Sequence, residues 1–298
     1  MPLRHDPKRG ALLMLGACAV FSAMSLLIKM LSESLPVAEI MFFRNALALP
    51  IVILFGLRGA GLLQVVRTRR PLGHLTRAFV GLVAMGCSFF SVTQLPLAEH
   101  TALTHTTPLF ATLLAIPLFG ERPGLWRVSA LLAGFLGIVV IAAGQGGFSG
   151  VLGGLALAGL IAAVAHGLFS AGSTLLVRGL SATESSATIV FYQSALMSGI
   201  MLLFLPFVWV TPTPWQWVLL LLLGLCGGVG QILVTEAYAS AQVSAVAPYS
   251  YTQILWSAAI GMLAFGDVPG PLTWAGAAMI SAAGLLILYR DMRRTPRS

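Results

Sequence analysis

The sequence predicts an all-α membrane protein of ten transmembrane helices, arranged as two inverted five-helix repeats with both termini cytoplasmic. Three observations carry that prediction. The 298-residue chain is 58% hydrophobic and only 9% charged, with a mean hydropathy of +0.93, far from the balance of a soluble domain. Two motifs occur twice: Phe21-Ser22-Ala23-x-Ser25-x-Leu27 returns as Phe169-Ser170-Ala171-x-Ser173-x-Leu175, and Phe119-Gly120-Glu121-Arg122-Pro123 returns as Phe265-Gly266-Asp267-Val268-Pro269. The basic residues, finally, fall almost wholly on one side of the predicted spans.

The spans follow from length, because a helix needs about 20 apolar residues to cross roughly 30 Å of hydrocarbon. Residues 10–28 form the first span and 40–57 the second, with Arg44 near its outer end; 78–98 and 100–120 form the third and fourth. The runs 128–177 and 185–235 are each about twice a span length and must fold back. The first turns at Gly144-Gln145-Gly146-Gly147-Phe148-Ser149-Gly150 and the second at Thr211-Pro212-Thr213-Pro214. Residues 237–266 and 268–289 complete the set. Continuous apolar runs of this length are not the alternating segments of a β-barrel. The chain therefore reads as a single membrane domain, 1–298, with a first repeat at 10–144 and a second at 150–290. Equivalent motifs lie five spans apart, an odd offset, so the copies cross the membrane in opposite directions, a pattern of secondary transporters.

Orientation comes from charge. With the N-terminus inside, all of the seventeen Lys and Arg residues except Lys29 and Arg44 lie on the cytoplasmic side. The Arg-rich connection 58–77, counted to include Arg77, suits a loop against anionic headgroups. The net charge of +8 is therefore topological, and its scatter over separate loops excludes a nucleic-acid face. Met1 to Ala19 resembles a signal peptide, ending in Ala17-Cys18-Ala19, but its removal would delete one copy of the Phe-Ser-Ala motif and break the even parity. Cys18, Cys87 and Cys226 all fall inside spans, so no disulfide framework is expected, and no metal-ligand spacing, Walker A pattern or cofactor motif is present.

Within the spans, Ala130, Ala133, Gly134 and Gly137 on the fifth and Gly224, Gly227, Gly228 and Gly230 on the eighth allow close helix approach. Gly276, Ala277, Ser281 and Gly284 on the tenth suit the same packing or a weak homodimer contact; a monomer is the simpler expectation. Pro108 and Pro248 occupy the fourth and ninth spans, repeat counterparts, where each kinks a helix and frees carbonyls as a hinge. Pro50 and Pro206 lie nearer helix ends.

Ionisable groups in lipid are costly and therefore informative. Lys29 and Glu33 stand four apart as an outer-surface ion pair; Glu39 and Arg44 are expected at the interface. Glu99, Glu121 and Asp267 lie at span boundaries, Glu236 near the cytoplasmic face, and no carboxylate is predicted at the midplane. Two histidines, His105 and His166, are the candidates for carrying a proton. Neutral polar residues concentrate on a few spans: Ser88 and Ser91 on the third, Thr101, Thr104 and His105 on the fourth, His166 and Ser170 on the sixth, and Gln231 on the eighth. The ninth adds Ser244, Tyr249, Ser250, Tyr251, Gln253 and Trp256. These predict a central uncharged cavity walled by spans 1, 3, 4, 6, 8 and 9, with spans 5 and 10 as a lipid-facing rim. Such a lining suits a small net-neutral solute, since a phosphorylated one would call for Arg or Lys.

The paired repeats, the Phe-Gly-Glu-Arg-Pro and Phe-Gly-Asp-Val-Pro segments and Arg44 near the start of the second span resemble the drug/metabolite transporter superfamily, in its EamA-type ten-helix branch. The resemblance spans the whole chain, and within the branch the chain is similar to YddG-like exporters of aromatic and other neutral amino acids. It implies a multi-pass protein of the bacterial inner membrane that exports small metabolites by alternating access. The membrane-embedded glutamate that four-helix multidrug carriers of the superfamily place in their first helix is absent; Phe21 to Ser25 stand there. A broad drug or metabolite efflux carrier is the alternative reading. A membrane enzyme would need a clustered nucleophile, metal set or paired carboxylates, and none assembles in the sequence.

Overall fold

Lipid offers a backbone no water to bond, so a spanning chain must satisfy its amides and carbonyls within helices or by side chains where helices break. The computed structural model describes residues 6–57, 66–119, 125–144, 154–181, 183–240 and 246–294. Regular structure there is helical: α1 (Pro7–Leu31), α2 (Val37–Leu57), α3 (Pro71–Gln94), α4 (Leu97–Thr104), α5 (Thr107–Phe119), α6 (Leu125–Gly144), α7 (Gly154–Leu180), α8 (Ser186–Val208) and α9 (Pro214–Ser240), then a 3₁₀ turn (Ala247–Tyr251), α10 (Thr252–Phe265) and α11 (Pro271–Arg294). Among the described residues eight helices are long and apolar enough to cross a membrane, α4 and α5 counted together, and Val128–Gly144 is a shorter apolar helix.

Local chemistry sets the helix ends. The Asp6 carboxylate caps α1, accepting the Arg9 amide at 3.0 Å, with Pro7 in the first turn. Pro96 stops α3 by holding Leu95 extended, at φ −118° and ψ 155°. Gly266 ends α10 in the left-handed region at φ 71°, which explains the glycine of the Phe-Gly-Asp motif. The counterpart segment Gly120 to Pro123 and the turn from Gln145 to Gly150 lie outside the described residues.

The fourth span departs from expectation. It is not one helix over 100–120 but two, α4 and α5, broken at His105 and Thr106. Pro108 sits in the first turn of α5 and Pro248 in the 3₁₀ turn, so neither proline kinks a continuous helix. Each starts a new one, where its missing amide costs nothing. Hydroxyls reinforce the carbonyls around the break: Thr107 donates to Thr104 O at 3.2 Å, whose fourth-residue partner Pro108 has no amide, while Thr104 donates to Thr101 O at 3.0 Å and Thr106 to Leu103 O at 2.7 Å, beside the backbone amides those two oxygens already accept. The 3₁₀ turn repeats the device, with Ser250 donating to Ala247 O at 2.7 Å and Thr252 to Tyr249 O at 2.6 Å.

Helices pack in long pairs: α3 along α7, α1 along α9, α6 along α11, and α2 against both α8 and α9. The largest apolar core lies between α1, α2, α3, α8 and α9, around Leu31, Ile40, Leu82, Met197, Leu220 and Leu223. A second, around Leu103, Ile141, Ile254 and Ile280, joins α4 to α6, α10 and α11. Small residues permit the closest approaches. A Cβ on Gly228 would lie 2.8 Å from Ile51, and one on Gly137 would lie 2.8 Å from the Gly276 carbonyl oxygen. The small faces of α6 and α11 are thus spent on each other. Outward, α6 presents Leu132, Leu136 and Val139 to the surroundings.

Several charges sit elsewhere than expected. Lys29 does not pair with Glu33; its ammonium reaches Asp267 at 3.3 Å, because the Gly266 turn brings that carboxylate over the end of α1. Glu39 is fully buried and accepts the Val210 amide at 3.1 Å, tying α2 to the end of α8. Arg77 is no loop residue: it lies buried in α3, donating to Ile189 O at 3.2 Å and Gln193 Oε1 at 2.6 Å on α8.

Because the Gly276 carbonyl cannot retreat as a side chain would, Gly137→Ala should destabilise the protein by about 1–3 kcal/mol. The check is the thermal midpoint in detergent, where an unchanged value would show that α6 and α11 are not in backbone contact.

Candidate functional site

One cavity of about 580 Å³ occupies the interior, within the range of small-molecule sites. Its walls come from α1 (Phe21, Met24, Ser25), α3 (Ser88), α4 and α5 (His100, Thr104, Thr107, Pro108), α7 (His166, Leu175), the 3₁₀ turn with α10 (Ser250, Tyr251, Gln253) and α11 (Gly284, Ile287, Leu288); α9 adds Tyr238. No Asp, Glu, Lys or Arg is among its described lining residues.

Of the residues singled out in the sequence, Ser88, Thr104, His105, His166, Ser250, Tyr251 and Gln253 come together here, with the hinge candidate Pro108. Ser91 and Thr101 do not line the space but support it. Ser91 is fully buried and hydrogen-bonds Nδ1 of His100 at 3.1 Å; Thr101 donates to Ser257 at 2.8 Å, and Ser257 meets Ser22 at 3.0 Å. That Ser22–Ser257–Thr101 knot joins α1, α10 and α4. Ser170, Gln231, Tyr249 and Trp256 lie off the lining, the last two with their rings substantially exposed. Pro248 belongs to the 3₁₀ turn but not to the wall, and Ser244 lies outside the described residues. The two Phe-Ser-Ala copies are accordingly unequal: Phe21 lines the cavity, whereas Phe169 faces outward.

His100 was missed in the sequence because it reads as the boundary of a span, one residue after Glu99. The structure ends α4 at Thr104 and places His100 on the cavity wall. The tenth span, expected only at the rim, supplies Gly284, Ile287 and Leu288, since the other face of α11 is what packs on α6. Gly284 also provides a notch: a Cβ there would collide with the Tyr251 hydroxyl, which points into the space the missing side chain leaves.

Hydrogen bonds fix the three imidazoles. His166 Nδ1 meets Ala84 O on α3 at 2.8 Å. His105 Nδ1 meets Thr101 O at 2.8 Å and its Nε2 meets Ser250 O at 3.2 Å, while its ring lies 5.4 Å from that of Tyr251. Cys18 Sγ also approaches Ser250 O, at 3.5 Å. Thr101 O also accepts the His105 amide at 3.1 Å and the Thr104 hydroxyl at 3.0 Å, so the imidazole joins an oxygen already bound at the end of α4 to one in the 3₁₀ turn.

The two ends of the bundle differ. Where α1 and α3 end, Lys29 donates to both Asp267 and Leu95 O, at 3.3 and 3.1 Å, and lies 4.7 Å from the centre of the Phe265 ring. This joins α1, α3 and the close of α10 at that end of the bundle. At the opposite end, where the Asp6 amide bonds Ser240 O, the lining continues through Leu175, Tyr238 and Leu288. There the connection before α3 is held to the loop after α7: the Glu184 carboxylate accepts the Thr68 hydroxyl and the Arg69 amide, each at 2.9 Å. Burial alone would raise the Glu184 carboxyl, but these hydrogen bonds outweigh it and hold it below the usual carboxylate range.

Comparison with known proteins places this geometry. The model of the EamA-like transporter family matches residues 8–143 and again 157–289. The pseudopaline exporter CntI of Pseudomonas aeruginosa is 34% identical over 283 residues, covering 93% of this chain and 94% of that protein. A riboflavin transporter of Vibrio cholerae is 30% identical over 302 residues, 100% of this chain and 98% of its own. An S-adenosylmethionine uptake transporter of Rickettsia bellii is 24% identical over 277 residues, 91% and 90% respectively. A solved crystal structure at 20% identity superposes with a TM-score of 0.68 over 97% of this chain and all of that one, which shows the fold.

Lys29 and Asp267 should be coupled by about 0.5–1 kcal/mol in a thermal-unfolding cycle of Lys29→Met, Asp267→Asn and the double variant; strict additivity would mean the pair does not hold that end together. Glu184, whose carboxyl is depressed in the folded state, stabilises the protein above the ordinary carboxylate range and loses that contribution as pH falls through its folded value. The stability difference between wild type and Glu184→Gln should therefore shrink on acidification from neutral pH, and a difference that grows would reverse the assignment.

Proposed function

The chain belongs to the EamA-like transporter family, a multi-pass transporter of the inner membrane acting on small molecules, and we propose that it exports net-neutral amino acids, aromatic ones included. The observation that carries this reading is the cavity lining: hydroxyls, imidazoles, an amide and phenol rings, with no fixed charge among the described lining residues. A zwitterion fits such a wall. Its carboxylate takes O–H and N–H donors from Ser88 and Gln253, its ammonium takes hydroxyl oxygens, that of Thr104 among them, and Phe21, Tyr238 and Tyr251 pack its side chain.

The proposed architecture is ten spans in two inverted five-helix repeats, 10–144 and 150–290, with both termini cytoplasmic. The charge distribution supports the orientation, and the two stretches matched by the family model support the division. The α4–α5 break and the 3₁₀ turn before α10 occupy corresponding places in the two halves. In alternating access one half rocks against the other around the central site; the Lys29–Asp267 tie closes the end away from the termini, so this conformation faces the cytoplasm. A monomer suits the mutual burial of the small faces of α6 and α11.

A second reading, a broad efflux carrier for apolar compounds, draws on Met24, Leu175, Ile287 and Leu288 along one side of the same cavity. The relatives do not decide between them, since their named cargoes differ and one is named an exporter and another an uptake transporter.

Proteoliposomes supplied with a panel of labelled amino acids and a panel of uncharged apolar compounds separate the readings. Saturable flux of neutral amino acids, reduced at least tenfold in Gln253→Ala, is expected. Flux of the apolar panel alone would favour the second reading, and flux of neither would sink both.

A further inference from the structure

The three histidines of the cavity are not equivalent. His100 bonds a serine hydroxyl and His166 a carbonyl, each through Nδ1, and no hydrogen bond among the described residues engages the Nε2 of either. His105 alone is held at both nitrogens, and both partners, Thr101 O and Ser250 O, are carbonyl oxygens. A carbonyl only accepts. A neutral imidazole carries one N–H, so one of its nitrogens would point a lone pair at a carbonyl lone pair; only the imidazolium donates to both oxygens.

Two further features favour a positive charge at that spot. His105 is the C-cap of α4, at the negative end of the helix dipole. The Tyr251 ring, 5.4 Å away, offers its π system within cation–π reach. The titratable groups facing His105 are Tyr251 from the 3₁₀ turn, Cys18 from α1, His100 from α4 itself, His166 from α7 and Tyr238 from α9; no described residue lining the cavity is a carboxylate. The charge is therefore met by carbonyl dipoles and an aromatic face.

We infer that His105 is the proton-binding residue that couples transport to pH: as an imidazolium it clasps the end of α4 to the 3₁₀ turn before α10, and on giving up one proton to cavity water it keeps only one of the two bonds. The clasp spans the two helix breaks, so protonation biases the element that must move when the halves rock. One proton is taken from water in the cavity and one returned per opening of the clasp. His100 and His166, each with Nε2 free, remain to bind cargo. This inference rests on the transport reading for its consequence but not for its first test.

That test is nitrogen NMR of histidine-labelled protein in lipid nanodiscs at neutral pH. The expected result is one histidine protonated at both ring nitrogens, whose signal disappears in His105→Asn. If that variant does not fold, the same signal must survive substitution, one at a time, of His5, His74, His100 and His166. A two-proton signal that vanishes with any of those four, or no such signal, overturns the inference. The second test is proteoliposome flux with and without an imposed pH gradient. Wild type should be accelerated several-fold by the gradient, whereas the flux that remains in His105→Asn should be the same with and without it. Equal acceleration in both would overturn the coupling role; absence of any flux in wild type would count against the transport reading and leave the NMR result to stand or fall alone.

Discussion

Everything at the centre of this molecule follows from the cost of an unpaired carbonyl in lipid. Two helices are interrupted halfway through the bundle, one at His105 and Thr106 and one before Thr252, and every interruption strands acceptors where no water is guaranteed. The sequence meets that demand locally, with threonines and serines that reach back three residues to the carbonyls they follow. It meets it at long range as well, with His105 and Cys18 closing on the carbonyls of the other break. The polar character of the cavity is therefore the same fact as its broken helices. The lining of the cavity and the repair of the backbone share several side chains.

Much of this was legible in the chain before any coordinates. Span lengths, the apolar runs and the concentration of serine, threonine and histidine on a few spans are consequences of composition along a line, and seven of the residues picked out that way share one wall. What could not be read is rotation. Whether Ser170 or His166 faces inward depends on how α7 turns against α3, and a uniformly apolar helix carries too weak a periodicity to tell. His100 escaped notice because it reads as the boundary of a span, one residue after Glu99. Trp256 and Tyr249 read as cavity aromatics by proximity in sequence, yet they sit on the outer side of their turn.

Charge placement teaches a related lesson. Neighbours in sequence, Lys29 and Glu33, looked like partners because helical spacing allows it. The fold chose Asp267 instead, since the left-handed turn at Gly266 delivers a carboxylate, an aromatic ring and a helix end to the same spot. The acidic residue that marks the motif is thus explained by its position above the end of α1. Arg77 and Glu39 likewise join helices that are distant in sequence, and each is buried at a junction with α8 or the segment that follows it. Lys29, Asp267, Glu39 and Arg77 act as fasteners near helix ends, and no Asp, Glu, Lys or Arg is among the described residues that line the cavity.

The notch at Gly284 has a bearing on how such a carrier diversifies. The Tyr251 hydroxyl lies in the hollow that this glycine leaves in α11. A single methyl there would displace the phenol, itself part of the wall and 5.4 Å from the His105 ring. The shape of the cavity can consequently drift by mutation at a residue behind the ring as well as at the ring itself. A lineage that traded this glycine for alanine would reshape the cavity and the neighbourhood of His105 in one step.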